Sequence, residues 1–243
     1  MGDDLVGTLS AAPTRRGVGG AWTGNLGPDP TEGAPMPELR PAVLFDVDGT
    51  LLDTNYLHVL AWWQAIVDTG HDPVAMDRIH RAIGIPSEGL VRHLLGADDD
   101  DTVEAHSRRY EPLREHVTPF PRTADLLRAC AEHGLTVVLA TSGRAADLEW
   151  MQPAIGAEEA VTGATTSEDV DAGKPEPDLL TTAMRDHGLD PHATVVVGDT
   201  VWDVEAARKA DLPSIGLACG GIGAADRTRS SSLLLTSPCW STA

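Results

Sequence analysis

Residues 42–50 read AVLFDVDGT, and the fold class follows from how that stretch is built. Ala42 to Phe45 form a short apolar run without polar alternation, the pattern of a strand buried on both faces of a parallel sheet. The run stops at Asp46, and Asp48 with Gly49 marks a turn. Comparable runs recur at Leu135 to Ala140 and Thr194 to Val197, each followed by polar or glycine-bearing residues and then a helical pattern. Strands that alternate with helices in this way predict an α/β fold with a Rossmann-like parallel sheet.

The segment between the first two runs is too long for a simple crossover. A helix of about a dozen residues joins parallel strands, whereas residues 55–117 carry several helical periods. Tyr56 to Val67 has Leu57, Leu60, Ala61 and Gln64 at helical spacing. Asp72 followed by Pro73 reads as a helix cap with an N1 proline, and Ser87 to Leu95 and Thr102 to His116 give two further periods. The expected organisation is an α/β core at 41–54 and 118–224, with a small helical cap domain inserted at 55–117. Residues 1–40, rich in Gly, Pro and Thr, read as a disordered and dispensable tail, with Met36 standing just before the first patterned segment. Residues 225–243, where a run of serines precedes leucines, read as an irregular C-terminal tail.

Composition narrows the functions available. The net charge of −19, from 37 acidic against 18 basic residues, repels nucleic-acid backbones and anionic membrane surfaces. No stretch approaches the roughly 18 apolar residues of a membrane span. Cys130, Cys219 and Cys239 are odd in number and lack CxxC spacing, so neither a disulfide framework nor a zinc site is expected, and a cytoplasmic location fits best. An anionic substrate needs local counter-charge. Lysine occurs only at Lys174 and Lys209, which singles out Lys174.

Four polar clusters stand where strands end or in adjoining loops: Asp46 and Asp48 in FDVDGT, Thr141 and Ser142 in LATSG, Lys174 in GKPEP, and Asp199 with Asp203 in GDTVWD. In an open parallel sheet these carboxyl-end positions converge on one crevice. Two carboxylates about 4 Å apart repel by around 4 kcal/mol at an effective dielectric of 20, so the gathering demands a cation. All-oxygen ligands favour Mg²⁺, which binds few carboxylates and retains waters or substrate oxygens. Asp46 at a strand tip is placed to attack phosphorus. Asp48, two residues on, is placed to protonate the leaving oxygen and then activate water. Gly49 permits a tight turn that brings backbone N–H groups to a phosphate. Thr141 and Ser142 add hydroxyl donors, and Lys174 supplies a fixed ammonium. Asp46, Asp48 and Asp199 are the expected Mg²⁺ ligands, and Asp203, one helical turn after Asp199, could join them or hold Lys174.

These motifs, in this order over about Ala42 to Leu217, resemble the haloacid dehalogenase superfamily, in the subclass whose helical cap follows the first strand. Within it the chain is most similar to phosphoglycolate-phosphatase-like hydrolases. The resemblance implies that Asp46 is the nucleophile, Asp48 the acid and base, Thr141 or Ser142 and Lys174 the phosphate binders, and Asp199 the residue completing the Mg²⁺ site. It also implies that the cap turn Gly84 to Glu88 approaches the substrate, making Arg81, Ser87 and Glu88 candidate contacts.

The implied activity is hydrolysis of a small-molecule phosphate monoester, phosphoglycolate or a sugar phosphate, through an aspartyl phosphate, by a monomer or homodimer. Asp48 argues against a dehalogenase, which needs no acid at that position. The absence of lysine between residues 55 and 117 excludes a phosphonatase with a cap Schiff base. A β-phosphoglucomutase-like mutase shares every motif, and a non-enzymatic binding module on the same fold is the remaining alternative. His58, His80 and His93 are expected to serve the cap structurally, and Trp62 and Trp63 to fill its core.

Overall fold

The computed structural model describes residues 39–222 and a short strand at Leu233–Leu234. A six-stranded parallel sheet forms the centre, in the order β3-β2-β1-β4-β5-β6. The strands are β1 (Arg40–Phe45), β2 (Thr136–Ala140), β3 (Gly163–Thr165), β4 (Leu189–Gly198), β5 (Ser214–Gly216) and β6 (Leu233–Leu234). β1 lies between β2 and β4, with Phe45 opposite Leu139 on one side and Val197 on the other.

The alternation of β1 decides which side of the sheet each residue serves. Val43 and Phe45 pack with Val137, Leu139 and Val197 beneath helices α5 (Thr123–Glu132) and α6 (Ala145–Ile155). Ala42 and Leu44 join Val138, Ala140 and Val196 on the opposite face, under α7 (Asp178–His187) and α8 (Val201–Lys209). A strand with apolar partners on both faces has no solvated side, which is why residues 42–45 read as an unbroken apolar run. Leu44 and Phe45 are fully buried, and truncating either to alanine would cost about 2–5 kcal/mol.

The inserted segment forms a separate helical layer: α1 (Asn55–Asp68), α2 (Met76–Ala82), α3 (Ser87–Leu95) and α4 (Asp100–Tyr110). Its own core contains Val59, Trp62, Ile66, Ile79, Leu90, Val91 and Leu94, with Trp63 packed at its margin. Asp99 caps α4, its Oδ1 accepting from the Thr102 backbone N–H, so the acidic run at 98–101 starts a helix as its composition implies.

Several expectations are corrected. Asp72 and Pro73 cap nothing: α2 starts at Met76, after an irregular link at residues 71–75. The helix expected through His116 gives way after Tyr110 to a 3-10 segment, Glu111–His116, where Pro112 supplies no backbone donor. Arg40, assigned to the tail, already belongs to β1. Leu233–Leu234, assigned to an irregular terminus, pairs in parallel with β5. Of the disordered tail expected over residues 1–40, residues 1–38 lie outside the described residues, as does the rest of the C-terminal segment beyond residue 222. No described helix is long and apolar enough to cross a membrane.

Candidate active site

Asp46 follows the last residue of β1, the central strand, so its carboxylate stands at the carboxyl edge where strands run outward to β2 on one side and β4 on the other. This is where open α/β sheets bind their ligands. Asp199 follows β4 and Thr141 follows β2 in the same way. Asp203 lies one turn into α8, whose N-cap is Thr200: the Thr200 hydroxyl accepts from the Asp203 N–H, and Asp203 Oδ2 accepts from the Thr200 N–H and hydroxyl at 3.0 and 2.6 Å. That reciprocal box fixes the Asp203 rotamer and leaves Oδ1 facing Lys174.

Lys174, with only 2% of its surface exposed, bridges the group. Its Nζ lies 2.6 Å from Asp46 Oδ1 and 2.7 Å from Asp203 Oδ1, and donates to the Ala140 carbonyl at 3.0 Å. The Thr50 hydroxyl sits 3.2 Å from Asp46 Oδ2 and 3.3 Å from Asp199 Oδ1. Asn55 donates from Nδ2 to Asp199 Oδ2 at 2.8 Å. Gly49 has φ +76°, and a side chain there would run into Asn55 and Asp199. The turn thus needs glycine both for its left-handed backbone and for space.

Electrostatics reflect this crowding. Burial pushes the Asp46 carboxyl up to about 7, opposed by Lys174 and reinforced by Asp203. Asp199 is raised well above the usual carboxylate range, by burial first and then by Asp46 and Asp203. Burial alone would lower Lys174, but Asp203 and Asp46 outweigh it and hold the ammonium above its ordinary value. Asp48 behaves oppositely: burial would raise it, yet hydrogen bonding and charge from His58, with the Thr54 hydroxyl, keep it below the usual range.

Carboxylate oxygens of Asp46, Asp199 and Asp203 all lie within 4.8 Å of one another and are buried. Three buried carboxylates gathered beside the Lys174 ammonium form an acid-rich, all-oxygen set, which fits a small divalent cation such as Mg²⁺. Asp48, expected among the ligands, stands apart from these three: its Oδ1 accepts from Thr54 Oγ1 at 2.7 Å and faces His58 Nε2 at 3.3 Å.

Above this group the cap encloses a cavity of about 200 Å³, lined by Asp46 and Asp48 from the core and by Trp62, Gly84, Ser87 and Glu88 from the cap, among others. The Gly84–Glu88 turn therefore reaches the site, and Ser142 donates its hydroxyl to the Gly84 carbonyl at 2.8 Å, tying core to cap. Thr141 is buried and accepts from the Gly143 N–H at 3.0 Å. Arg81 does not line the cavity; its guanidinium is exposed and paired with Asp77 at 3.2 Å. His58, expected to serve the cap structurally, stacks within the cap and also faces Asp48, its Nε2 3.3 Å from Oδ1. His80 and His93 contact the Gly220 carbonyl and the edge of Trp202 instead.

Residues that the sequence did not single out complete the cavity wall. His106 stacks on Trp62 with centroids 3.8 Å apart, and His58 stacks on Tyr110 at the same distance. His58 Nδ1 lies 3.2 Å from His106 Nε2. Arg114 pairs with Asp147 at 2.7 Å. One signal was available: Thr54 and His58 are four residues apart, hence on one helical face, at the helix start that follows Asp48.

Residues 43–217 match the haloacid dehalogenase-like hydrolase family over most of the chain. The chain belongs to that family. It is 31% identical to the probable phosphatase IndB of Dickeya dadantii, across 75% of this chain and 83% of that protein. It is 25% identical to the phosphoglycolate phosphatase of Agrobacterium fabrum, across 75% and 82%. Among solved structures, a hydrolase from Pseudomonas syringae superposes with a TM-score of 0.76 at 30% identity, covering 82% of this chain and 94% of the other. Membership and these relatives support a phosphatase activity on the haloacid dehalogenase fold.

Proposed function

We propose that the chain is a Mg²⁺-dependent phosphatase that hydrolyses a small-molecule phosphate monoester through an aspartyl phosphate on Asp46. The observation that carries this reading is the position of Asp46: it directly follows the central strand, touches Lys174, and opens into a capped cavity that Asp48 also lines. Asp46, Asp199 and Asp203 would hold the cation, which when bound screens their charges and polarises the phosphoryl group.

Asp46 attacks phosphorus with a carboxylate oxygen, the bond from phosphorus to the ester oxygen breaks, and Asp48 delivers a proton to the departing oxygen. In the free protein His58 and Thr54 hold Asp48 as a carboxylate. A phosphate dianion beside it favours uptake of the proton that it then gives away. Asp48 afterwards takes a proton from the water that cleaves the acyl phosphate and regenerates Asp46. Lys174 keeps its charge throughout and pairs with the transferring oxygens.

The cavity is smaller than the 300–1,000 Å³ typical of drug-sized ligand pockets, so the leaving group is small. Tyr110 Oη and Arg114 Nε are buried without a hydrogen-bond partner, and both residues line the cavity. They are donors, and they favour a leaving group that carries acceptor oxygens. Phosphoglycolate and small sugar phosphates both satisfy this condition.

The test is a panel of phosphate esters assayed with Mg²⁺ for wild type and Asp46→Asn. Release of inorganic phosphate by the wild type, lost by at least about 10³-fold in Asp46→Asn, is the expected result. Equal slow release by both proteins would remove the enzymatic reading. Isomerisation primed by a bisphosphate with little phosphate release would replace hydrolase by mutase.

A further inference from the structure

Asn55 opens α1, the first helix of the cap, and is 1% exposed. Its amide nitrogen donates both hydrogens, to Asp199 Oδ2 at 2.8 Å and to the Gly220 carbonyl at 3.0 Å. Because both partners are acceptors, the orientation of the amide is settled by its bonds. The other atom, Oδ1, is buried with no hydrogen-bond partner. An orphaned buried acceptor costs about 1–3 kcal/mol and calls for an explanation. Rotating the amide offers no escape, since it would set Oδ1 against the same two acceptors. Nor is there room to swing away: a Cβ at Gly49 or Gly220 would collide with the Asn55 amide and with Asp199, so these two glycine backbones clamp the pair.

This unsatisfied acceptor belongs to the amide that holds Asp199, itself part of the buried acidic group. A small divalent cation retains several waters, and those waters are strong donors. We infer that Asn55 is a positioning residue of the metal site: Nδ2 orients Asp199, and Oδ1 accepts a hydrogen bond from a water bound to the cation. Partners of this kind orient ligands and tune affinity although they never touch the metal. The inference rests on the Mg²⁺-dependent reading above. It adds that the joint between core and cap is part of the metal site, because Asn55 is at once the first residue of α1 and the partner of Asp199.

The test measures metal binding without turnover. Mg²⁺ affinity is determined by titration calorimetry for wild type, Asn55→Ala and the near-isosteric Asn55→Leu, with circular dichroism to select folded protein. Loading with Mn²⁺ then allows water-proton relaxation to report exchange of the bound waters. A loss of roughly 10- to 100-fold in affinity, with faster exchange of the Mn²⁺-bound waters, is expected in whichever variant folds. Unchanged affinity and relaxation in a folded variant would overturn the inference and leave the phosphatase reading intact. Failure of the wild type to bind Mg²⁺ would overturn both. If neither substitution gives a folded chain while Asn55→Asp, which keeps an oxygen acceptor but loses the donors, folds and binds Mg²⁺ as tightly as wild type, the role of Nδ2 is refuted.

Discussion

Replacing Lys174 with methionine removes an ammonium while keeping most of the side-chain volume. The nitrogen that disappears lies 2.6 Å from Asp46 and 2.7 Å from Asp203, and all three side chains are buried. Removing one partner of a buried ion pair costs about 3–5 kcal/mol, because the other charge stays buried without compensation. For a domain of this size each kcal/mol lowers the melting temperature by about 2–4 °C, so the expected drop is roughly 6–20 °C. The sign of its pH dependence follows from Asp46. Its folded carboxyl is already raised from 3.8 to about 7, chiefly by burial, and Lys174 is what holds it down. A raised folded value means that the folded state gains stability as pH falls through it, because the proton is bound more tightly there than in the unfolded chain. Lys174→Met raises Asp46 further, so the deficit is largest near pH 8 and shrinks toward pH 5, where the carboxyl is neutral. Thermal melts by circular dichroism in EDTA at the two pH values measure it. A drop below about 3 °C at pH 8, or a deficit that grows on acidification, would refute the claim that this ammonium neutralises the buried acidic group.

His106 gives the opposite pH dependence: burial, with His58 beside it, holds its imidazole well below 6.5. The unfolded chain takes up this proton near pH 6.5 and the folded chain does not, so stability present above that pH is lost below it, by up to about 1.4 kcal/mol per unit. Melts from pH 7.5 to 5.5 should show wild type falling more steeply than His106→Gln; parallel curves would contradict a neutral buried imidazole. Gly49→Ala forces a left-handed backbone at φ +76° and a Cβ against Asn55 and Asp199, so stability should drop by about 1–2 kcal/mol and phosphatase turnover with it. A variant with unchanged melting and kcat/KM would show the turn to be looser than described. Thr200→Val removes the hydroxyl that caps α8 and orients Asp203; about 0.5–2 kcal/mol should be lost, with weakened Mg²⁺ binding, and intact binding would place Asp203 outside the metal site.

The fold was legible wherever the sequence had to satisfy two apolar faces at once. β1, β2 and the end of β4 show this as unbroken apolar runs, and α3 was placed at Ser87–Leu95 by its periodicity alone. β3, β5 and β6 were not read, because two or three residues carry no period and their pairing is decided by neighbouring strands. Asp72–Pro73 misled for the complementary reason: cap chemistry was present, but α2 begins at Met76 without a side-chain cap and is held by Ile79 and Ala82 in the cap core. At the site, residues that end strands were legible because topology alone converges them. Asn55, His58, His106 and Tyr110 were not, since they enter from the cap and their neighbours depend on how that layer docks. Asn55 was hidden further by its type: an asparagine at a helix start reads as a capping residue, whereas here its amide is committed to Asp199 and Gly220.

In the proposed reaction the phosphoryl group rests transiently on Asp46. Acid quenching during turnover, with the substrate that the ester panel selects and Mg²⁺, followed by proteolysis and mass spectrometry, tests it directly. The peptide containing Asp46 should gain the mass of one phosphoryl group, and the adduct should accumulate when Asp48→Asn slows hydrolysis of the intermediate. A phosphoryl group found on another residue, or phosphate release with no adduct at Asp46 even in Asp48→Asn, would contradict it.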